Sequence, residues 1–389
     1  MGHSAGGISC YLHLLQVELG TERSLFRKVG VISGPVGCLD LSSLEKADQR
    51  WADLCQLWSI QVDNPVDRLD ILRRIPTWDL LDSISELRWG LFSLIIDEST
   101  IRKSNLGCGV TVHLHDGLAD EAKPSNEKVQ VMISAADDEF RSFALMANWS
   151  YTEFKSLLTS SYPSEEAAQG VLQAYGILPT SSDEELFEAS SQFISDTTMM
   201  YKVYCGYEFL KCHRGKEALL RDQDPKRVGV QYDHFEIGNP FPGPMQGIAH
   251  HGIELVYAFG NFQNDLERAD QGISQGCVDP DQAHAEPNVN ESSVSAKSTE
   301  YCKSNIDLSY ELQDRWIQFV VEDCHETDQR ANADGITTFC HDRSVRAESW
   351  SSGEKWLTKR KKLEILGNDH ESITTSTRRL VGSVLGAVL

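Results

Sequence analysis

The chain has 389 residues, 40% of them apolar, and a formal charge of -22 from 36 basic and 58 acidic side chains. That length suits one large α/β domain or two modest ones, and the apolar share supports a sizeable core. The negative charge excludes nucleic acid and anionic membrane as partners by repulsion, and no apolar run, the Leu380 to Leu389 tail included, is long enough to span a bilayer.

The first element is a turn. Gly2-His3-Ser4-Ala5-Gly6-Gly7 spells G-x-S-x-G, the pattern of a sharp strand-to-helix turn that lifts a serine Oγ to the top of a sheet. Both Gly2 and Gly6 are expected to be glycine because a side chain would clash in so tight a turn. An ordinary serine at a glycine-rich helix start is the alternative, since the motif alone is short. The residues after the motif favour the turn. Ile8, Tyr11, Leu12, Leu15 and Leu19 recur at helical spacing, Gly20 stands where a helix ends, and Val29-Gly30-Val31-Ile32-Ser33 reads as a buried strand. Turn, helix and strand in that order suit a doubly wound sheet.

Downstream, Ser42 and Glu45 suggest a capping box ahead of Leu44, Ala47, Trp51, Leu54, Cys55 and Trp58, one apolar helix face. Val129 to Ile133 reads as a second buried strand, Tyr151 to Phe193 as mostly helical with breaks at Pro163 and Pro179, and Val228 to Tyr232 as a third strand. From about 262 to 304 the chain is polar and loop-like. Leu308, Leu312, Trp316, Phe319 and Val320 then share a helix face, and residues from about 326 to 389 read as a peripheral C-terminal region. No internal repeat or linker divides the chain, so a single domain spanning 1–389 is expected.

A serine nucleophile at Ser4 needs an acid and then a histidine later in the chain. The strand ending at Ile133 runs into Asp137-Asp138-Glu139, an acid just past a strand's C-terminal end, where parallel sheets place functional groups. His250-His251-Gly252-Ile253-Glu254-Leu255 follows on a glycine-flanked loop. Those three segments together resemble the type-B carboxylesterases, the family of the cholinesterases. Ser4 matches the nucleophile in G-x-S-A-G-G, Glu139 the acid in D-E-G-x-x-F, and His251 the base in H-x-x-E-[LF]. Ile32-Ser33-Gly34, Leu72-Arg73-Arg74-Ile75-Pro76, Asp116-Gly117, Ser195-Asp196, Asn239-Pro240-Phe241 and the Gln313, Trp316, Phe319 helix match further positions. The resemblance runs from residue 1 to about residue 325.

It implies an α/β-hydrolase fold, a mostly parallel sheet flanked by helices, here lacking the N-terminal strands. It also implies ester hydrolysis by acyl transfer on a small-molecule ester through Ser4, Glu139 and His251, without cofactor or metal, and with the Ala5 N–H as one oxyanion donor. The alternative is a non-catalytic esterase-fold binding protein or an inactive relic. Three departures stand out. Phe140 replaces the glycine after the acid, and Ile71 stands where secreted relatives carry a cysteine that could pair with Cys55. The third is the H-G-G-G-type loop with the strand into the elbow, which the chain does not contain; a truncated gene model, an alternative start or a degenerate copy is expected, with impaired turnover.

Other features carry less. Cys205 and Cys212 lack zinc-site spacing and read as buried thiols. His3 reads as non-catalytic, and Lys359-Arg360-Lys361-Lys362 as a solvated helix face. The sequons at Asn148 and Asn290 are too common to prove secretion, and ten irregularly spaced cysteines form no disulfide framework. The compartment stays open, with the cytoplasm slightly favoured.

Overall fold

The computed structural model describes residues 1–18, 26–35, 37, 42–87, 89, 94–99, 101, 129–147, 149–220, 229–272, 303–321, 335–369, 372–377 and 379–380. Gly20, Asp116-Gly117, Asn148 and Asn290-Glu291-Ser292 lie outside the described residues. The strands are β1 (Gly2–His3), β2 (Lys28–Ile32), β3 (Ser42–Ser43), β4 (Ile95–Ile96), β5 (Gln130–Ala136), β6 (Val230–Phe235), β7 (Gly335–Phe339) and β8 (Val345–Ser349). The helices are α1 (Ala5–Glu18), α2 (Leu44–Leu57), α3 (Pro65–Leu72), α4 (Thr77–Glu86), α5 (Arg141–Ala144), α6 (Tyr151–Thr159), α7 (Glu165–Ala174), α8 (Asp183–Ser195), α9 (Tyr201–Leu220), α10 (Ile253–Ala258), α11 (Gln263–Asp270), α12 (Asn305–Val321) and α13 (Glu354–Gly367).

Six strands form the main sheet in the order β1-β2-β5-β6-β7-β8, parallel throughout except for the antiparallel β7–β8 pair. β5 at its centre is buried at every residue, as a parallel strand covered on both faces must be. Its alternate side chains feed two cores. Val131 and Ile133 join Tyr11, Leu14, Phe154, Phe193 and Trp350 on one face; Met132 joins Phe235, Leu308, Leu312 and Phe339 on the other. Helices therefore cover both faces of one sheet, the α/β architecture expected from the sequence.

Local chemistry fixes the helix ends. Ser150 with Glu153 and Ser182 with Glu185 form complete capping boxes at α6 and α8. The expected Ser42–Glu45 box does not form. Ser42 pairs in β3 with Ile95, and Ser43 caps α2 by accepting the Lys46 N–H at 3.2 Å.

Further expectations are corrected. Residues 263–270, inside the stretch read as a polar loop, form helix α11, where Leu266 is fully buried beneath an otherwise polar sequence. The region from about 326 is not peripheral. It supplies β7 and β8, and Trp350 and Trp356 are among the largest fully buried side chains. Cys212 is exposed, whereas Cys205 and Cys55 are buried thiols.

The basic run on α13 is corrected as well, because Lys359 is not on a solvated face. Its ammonium is paired with Asp137, while Lys355 is paired with Glu236. His234, fully buried, sits between them with Nε2 3.3 Å from Asp137 and 3.7 Å from Glu236, and its ring meets Trp356 edge-on at 4.9 Å. Asp137, His234 and Glu236 are close enough to share a cation, but the two lysines already supply the positive charge there. Burial, with Lys359 beside it, pushes the His234 imidazole down to about 4. Burial alone would raise the Asp137 carboxyl, yet Lys359 and His234 outweigh it and hold that group well below the usual range.

These shifts set a stability window. His234 is neutral when folded and binds a proton more readily when unfolded, so its contribution is complete above about 6.5 and is lost as pH falls toward about 4. Across that interval the loss should approach about 3 kcal/mol, from roughly 1.4 kcal/mol per unit. Urea unfolding of the wild type and of His234→Gln across this range should give diverging slopes, the wild type losing stability faster toward acid. The difference isolates His234 from the buried carboxylates; parallel curves would refute the assignment.

Candidate active site

The main sheet's parallel strands end together at their carboxyl edge, where α/β folds gather functional groups. Ser4 follows β1, Ser33 follows β2 and Asp137 to Glu139 follow β5. Ser4 has φ 54° and Ser33 has φ 47°, both in the left-handed region that costs a non-glycine residue about 1–3 kcal/mol. Backbone bonds at the strand ends hold this strain: Ser4 N–H donates to the Ile32 carbonyl at 2.9 Å and Ser33 N–H to the Ser134 carbonyl at 2.9 Å.

Space around the turn falls on different glycines than the motif implies. A Cβ on Gly2 would lie 2.1 Å from the Gly6 carbonyl oxygen, and one on Gly34 would lie 2.0 Å from the Ser4 carbonyl oxygen. Gly7 is also tight, 2.9 Å from the Ile32 carbonyl oxygen. Gly6, expected to be sterically required, faces open space with nothing within 4 Å. The elbow and the 33–34 turn pack backbone against backbone, and Gly7, not Gly6, lets the start of α1 approach.

The structure brings Glu139 and His251 together. His251 Nδ1 donates to Glu139 Oε2 at 2.5 Å, and the Glu139 carboxylate is 1% exposed. The other oxygen, Oε1, accepts the Ala136 N–H and the Ser33 hydroxyl, each at 2.7 Å. Asp138, the adjacent acid, faces elsewhere and accepts from Ser195 at 2.7 Å, Ser191 at 2.9 Å and Arg141 at 3.3 Å. Burial raises its carboxyl despite these donors. Phe140, in the position where a glycine was expected, is buried and donates its N–H to Ser195 Oγ at 3.0 Å. Ser195 therefore clamps both neighbours of Glu139.

The adjacent histidines separate cleanly. His250 Nδ1 donates to the His251 carbonyl at 2.9 Å and its Nε2 lies 3.0 Å from Asn239 Nδ2, so its ring is occupied away from Glu139. Burial by itself pushes the His251 imidazole down, but the Glu139 hydrogen bond and the charges of Glu139 and Glu254 outweigh it and hold it above the ordinary value. With Nδ1–H committed to Glu139, the Nε2 lone pair is the basic position. Ser4 is half-buried and makes no hydrogen bond to His251 among the described residues. Ala5, the first residue of α1, is exposed, and its N–H is one of the first-turn donors that a helix leaves without a partner of its own.

Two residues given no role in the sequence reading belong to the same site. His3 Nε2 lies 3.3 Å from Glu254 Oε1, and the His3 and His251 rings are 4.6 Å apart. Glu254 is fully buried, and its Oε1 is 3.2 Å from the Ser33 hydroxyl. The sequence signal for His3 is only its place inside the turn, and for Glu254 its place in the H-x-x-E-[LF] pattern.

No protein-family model matches the sequence, and no curated protein does. Solved structures match along nearly the whole chain. A PNB esterase aligns with 93% of this chain and 61% of its own at 18% identity, with a TM-score of 0.51. A second PNB esterase structure covers 93% and 62% at 16% identity, with a TM-score of 0.50. A juvenile hormone esterase from Manduca sexta aligns over 95% and 64% at 14% identity, with a TM-score of 0.48. The fold is thus an α/β fold matching the carboxylesterase α/β-hydrolases over part of their length, and the chain spans about 61% of the first of these structures.

The glycine geometry gives a graded test of the elbow. Gly34→Ala and Gly2→Ala should each destabilise by about 3 kcal/mol or more, since a backbone oxygen must move. Gly6→Ala should be neutral or stabilising by up to about 1 kcal/mol through helix propensity. Equal urea midpoints for Gly34→Ala and Gly6→Ala would show that the turn is not packed in this way.

Proposed function

We propose that this chain is a carboxylic-ester hydrolase that works by acyl transfer through Ser4, Glu139 and His251, with the Ala5 N–H as an oxyanion donor. The observation that carries the reading is the His251–Glu139 hydrogen bond, made on the same sheet edge as a serine in a strained elbow. His251 Nε2 takes the Ser4 proton as Oγ attacks the ester carbonyl, then returns it to the leaving alcohol. Glu139 holds the tautomer and stabilises the imidazolium. Water, activated by the same nitrogen, releases the acyl group. The esterase fold of the matched structures supports a small ester as substrate.

The 389 residues contain no H-G-G-G-type loop, and the Ala5 N–H is the oxyanion donor this reading assigns among the described residues. One such donor is worth about 10²–10³ in kcat in a serine hydrolase. Slow turnover by this chain alone is therefore expected. A binding role without turnover is the second reading, favoured by the lack of a Ser4–His251 hydrogen bond, although such bonds often tighten only with substrate.

A fluorophosphonate ester separates the two. Slow covalent labelling at Ser4, found by mass spectrometry, is expected for the hydrolase. The rate should climb with pH as His251 loses its proton, with a midpoint above the ordinary histidine value of about 6.5. His251→Ala should remove several orders of magnitude. His250→Ala should act through stability, by about 1 kcal/mol, with labelling changed little. No labelling at any pH, or loss of labelling on His250→Ala but not on His251→Ala, would overturn the proposal.

A further inference from the structure

Helix α13 reaches the carboxyl ends of two neighbouring strands. β5 and β6 run in parallel with Ala136 opposite Phe235, so the residues that follow, Asp137 and Glu236, leave the sheet side by side. Two lysines one turn apart on α13 meet them, Lys359 on Asp137 and Lys355 on Glu236. The spacings match, since four residues of helix advance about 6 Å and adjacent strands lie about 4.8 Å apart. Trp356, between the lysines and fully buried, seats the helix by donating its Nε1–H to Glu348 at 2.7 Å.

The two ion pairs differ in what they hold. Asp137 opens the loop that carries Glu139, and the next residue joins that loop to the base. Asp138 N–H donates to the Ala249 carbonyl at 2.9 Å, and Asp138 and His250 form a parallel bridge. Glu139 and His251 each follow one member of that bridge, and their side chains meet at 2.5 Å. Asp137 also sits among acids. Burial, and then the Asp137 charge, raise the carboxyls of Asp138 and Asp196. Lys359, 12% exposed, carries the charge that reaches all three. Lys355 is 43% exposed, and its partner Glu236 follows β6, outside the Glu139 loop.

We infer that Lys359 is a positioning residue for the Glu139–His251 pair: helix α13 keeps Asp137 turned inward, and the Asp138–His250 bridge passes that placement on to the base. Lys359 acts through the loop and makes no bond to substrate. Without its ammonium, Asp137 is a buried carboxylate beside Asp138 and Asp196 with its counter-charge gone, a costly arrangement that is relieved by turning the carboxylate out to water. Asp137 then draws the loop with it, and the hydrogen bond from His251 to Glu139 lengthens. The inference rests on the hydrolase reading for its effect on rate, but the hydrogen bond can be observed without any reaction.

The other lysine supplies the control. The full chain would be compared with Lys359→Met, Lys359→Arg, Lys355→Met and the double variant Lys359→Met/Asp137→Asn, each held well below its melting temperature. One readout is the rate of fluorophosphonate labelling at Ser4; the other is the downfield NMR resonance of the His251 Nδ1 proton, which reports the bond to Glu139. Lys359→Met should slow labelling by about 10- to 100-fold, as for a reacting group displaced by about 1 Å, and move the resonance upfield. Lys359→Arg keeps the charge and should restore both. Lys355→Met should lower melting yet leave labelling within about twofold, since its pair is the more exposed. The double variant removes the stranded charge, so labelling and resonance should return toward the wild type.

A resonance unmoved in Lys359→Met, or moved equally in Lys355→Met, would sink the inference and leave the hydrolase standing. So would a double variant as impaired as Lys359→Met, which would mean that Lys359 acts by packing and not through Asp137. A resonance moved in Lys359→Met and restored in the double variant, with no labelling of any form, would sink the hydrolase and leave the positioning role. Should Lys359→Met fail to fold, Lys359→Gln removes the same charge and is read in its place.

Discussion

Two carboxylates share one hydroxyl beneath the serine elbow, and the geometry of the site depends on how Ser33 divides its hydrogen between them. Ser33 is fully buried at φ 47°, fastened by its N–H to the Ser134 carbonyl. Gly34 behind it leaves no room for a side chain against the Ser4 carbonyl. The strained turn after β2 and the strained turn after β1 are therefore one packed unit. Moving either would shift Ser4, Glu139 and Glu254 together, which explains why the strain persists: the surrounding sheet determines both turns more strongly than their own dihedral preferences do.

The loop that presents Glu139 is held from three directions. The Ala136 N–H reaches back to its carboxylate, Ser195 at the end of α8 clamps Asp138 and Phe140, and Lys359 of α13 pairs with Asp137. The last tie links the site to a helix more than two hundred residues later in sequence. Burial of Lys359 lowers its affinity for a proton, but Asp137 and Asp196 outweigh that and keep it charged. A π-helical stretch, Asp196–Met200, follows α8 directly and buries Asp196, which accepts from Tyr175 at 2.9 Å and Gln192 at 3.0 Å. Such stretches mark places where helix regularity yields to the placement of a side chain.

How far the sequence exposed this arrangement differs by element. Strands β2, β5 and β6 are visible as short apolar runs because parallel strands buried on both faces must be apolar, and the acids just past the strand ending at Ile133 point to its carboxyl edge. Residues 263–270 were not visible as a helix because a single buried leucine, Leu266, gives too little periodicity. The importance of Lys359 was hidden for a different reason: a lysine in a basic run looks solvated until a buried aspartate from a distant strand is known to lie under it. His3 is hidden in the same way, since Glu254, 3.3 Å from its Nε2, is far away in sequence. The glycine pattern misled in detail. It identifies a tight turn, but only the packing reveals that Gly2, Gly7 and Gly34 carry the steric demand and Gly6 does not.

A common rule governs the acids at and near this sheet edge. In a chain of net charge -22, each buried carboxylate needs its own donor or cation, because repulsion from the remaining acids adds to the cost of burial. The partners come from separate elements: His251 for Glu139, His3 for Glu254, Lys359 for Asp137 and Lys355 for Glu236. Asp233, on the opposite face of β6 from His234, takes Arg315 of α12, whose guanidinium also reaches Thr337. Pairing of this kind gains little net stability over an apolar contact, but losing one partner is costly. What it supplies is registration. Apolar packing would let α12 and α13 slide along the sheet, whereas a buried acid accepts its cation at one position only, and that position fixes where the loop bearing Glu139 must lie.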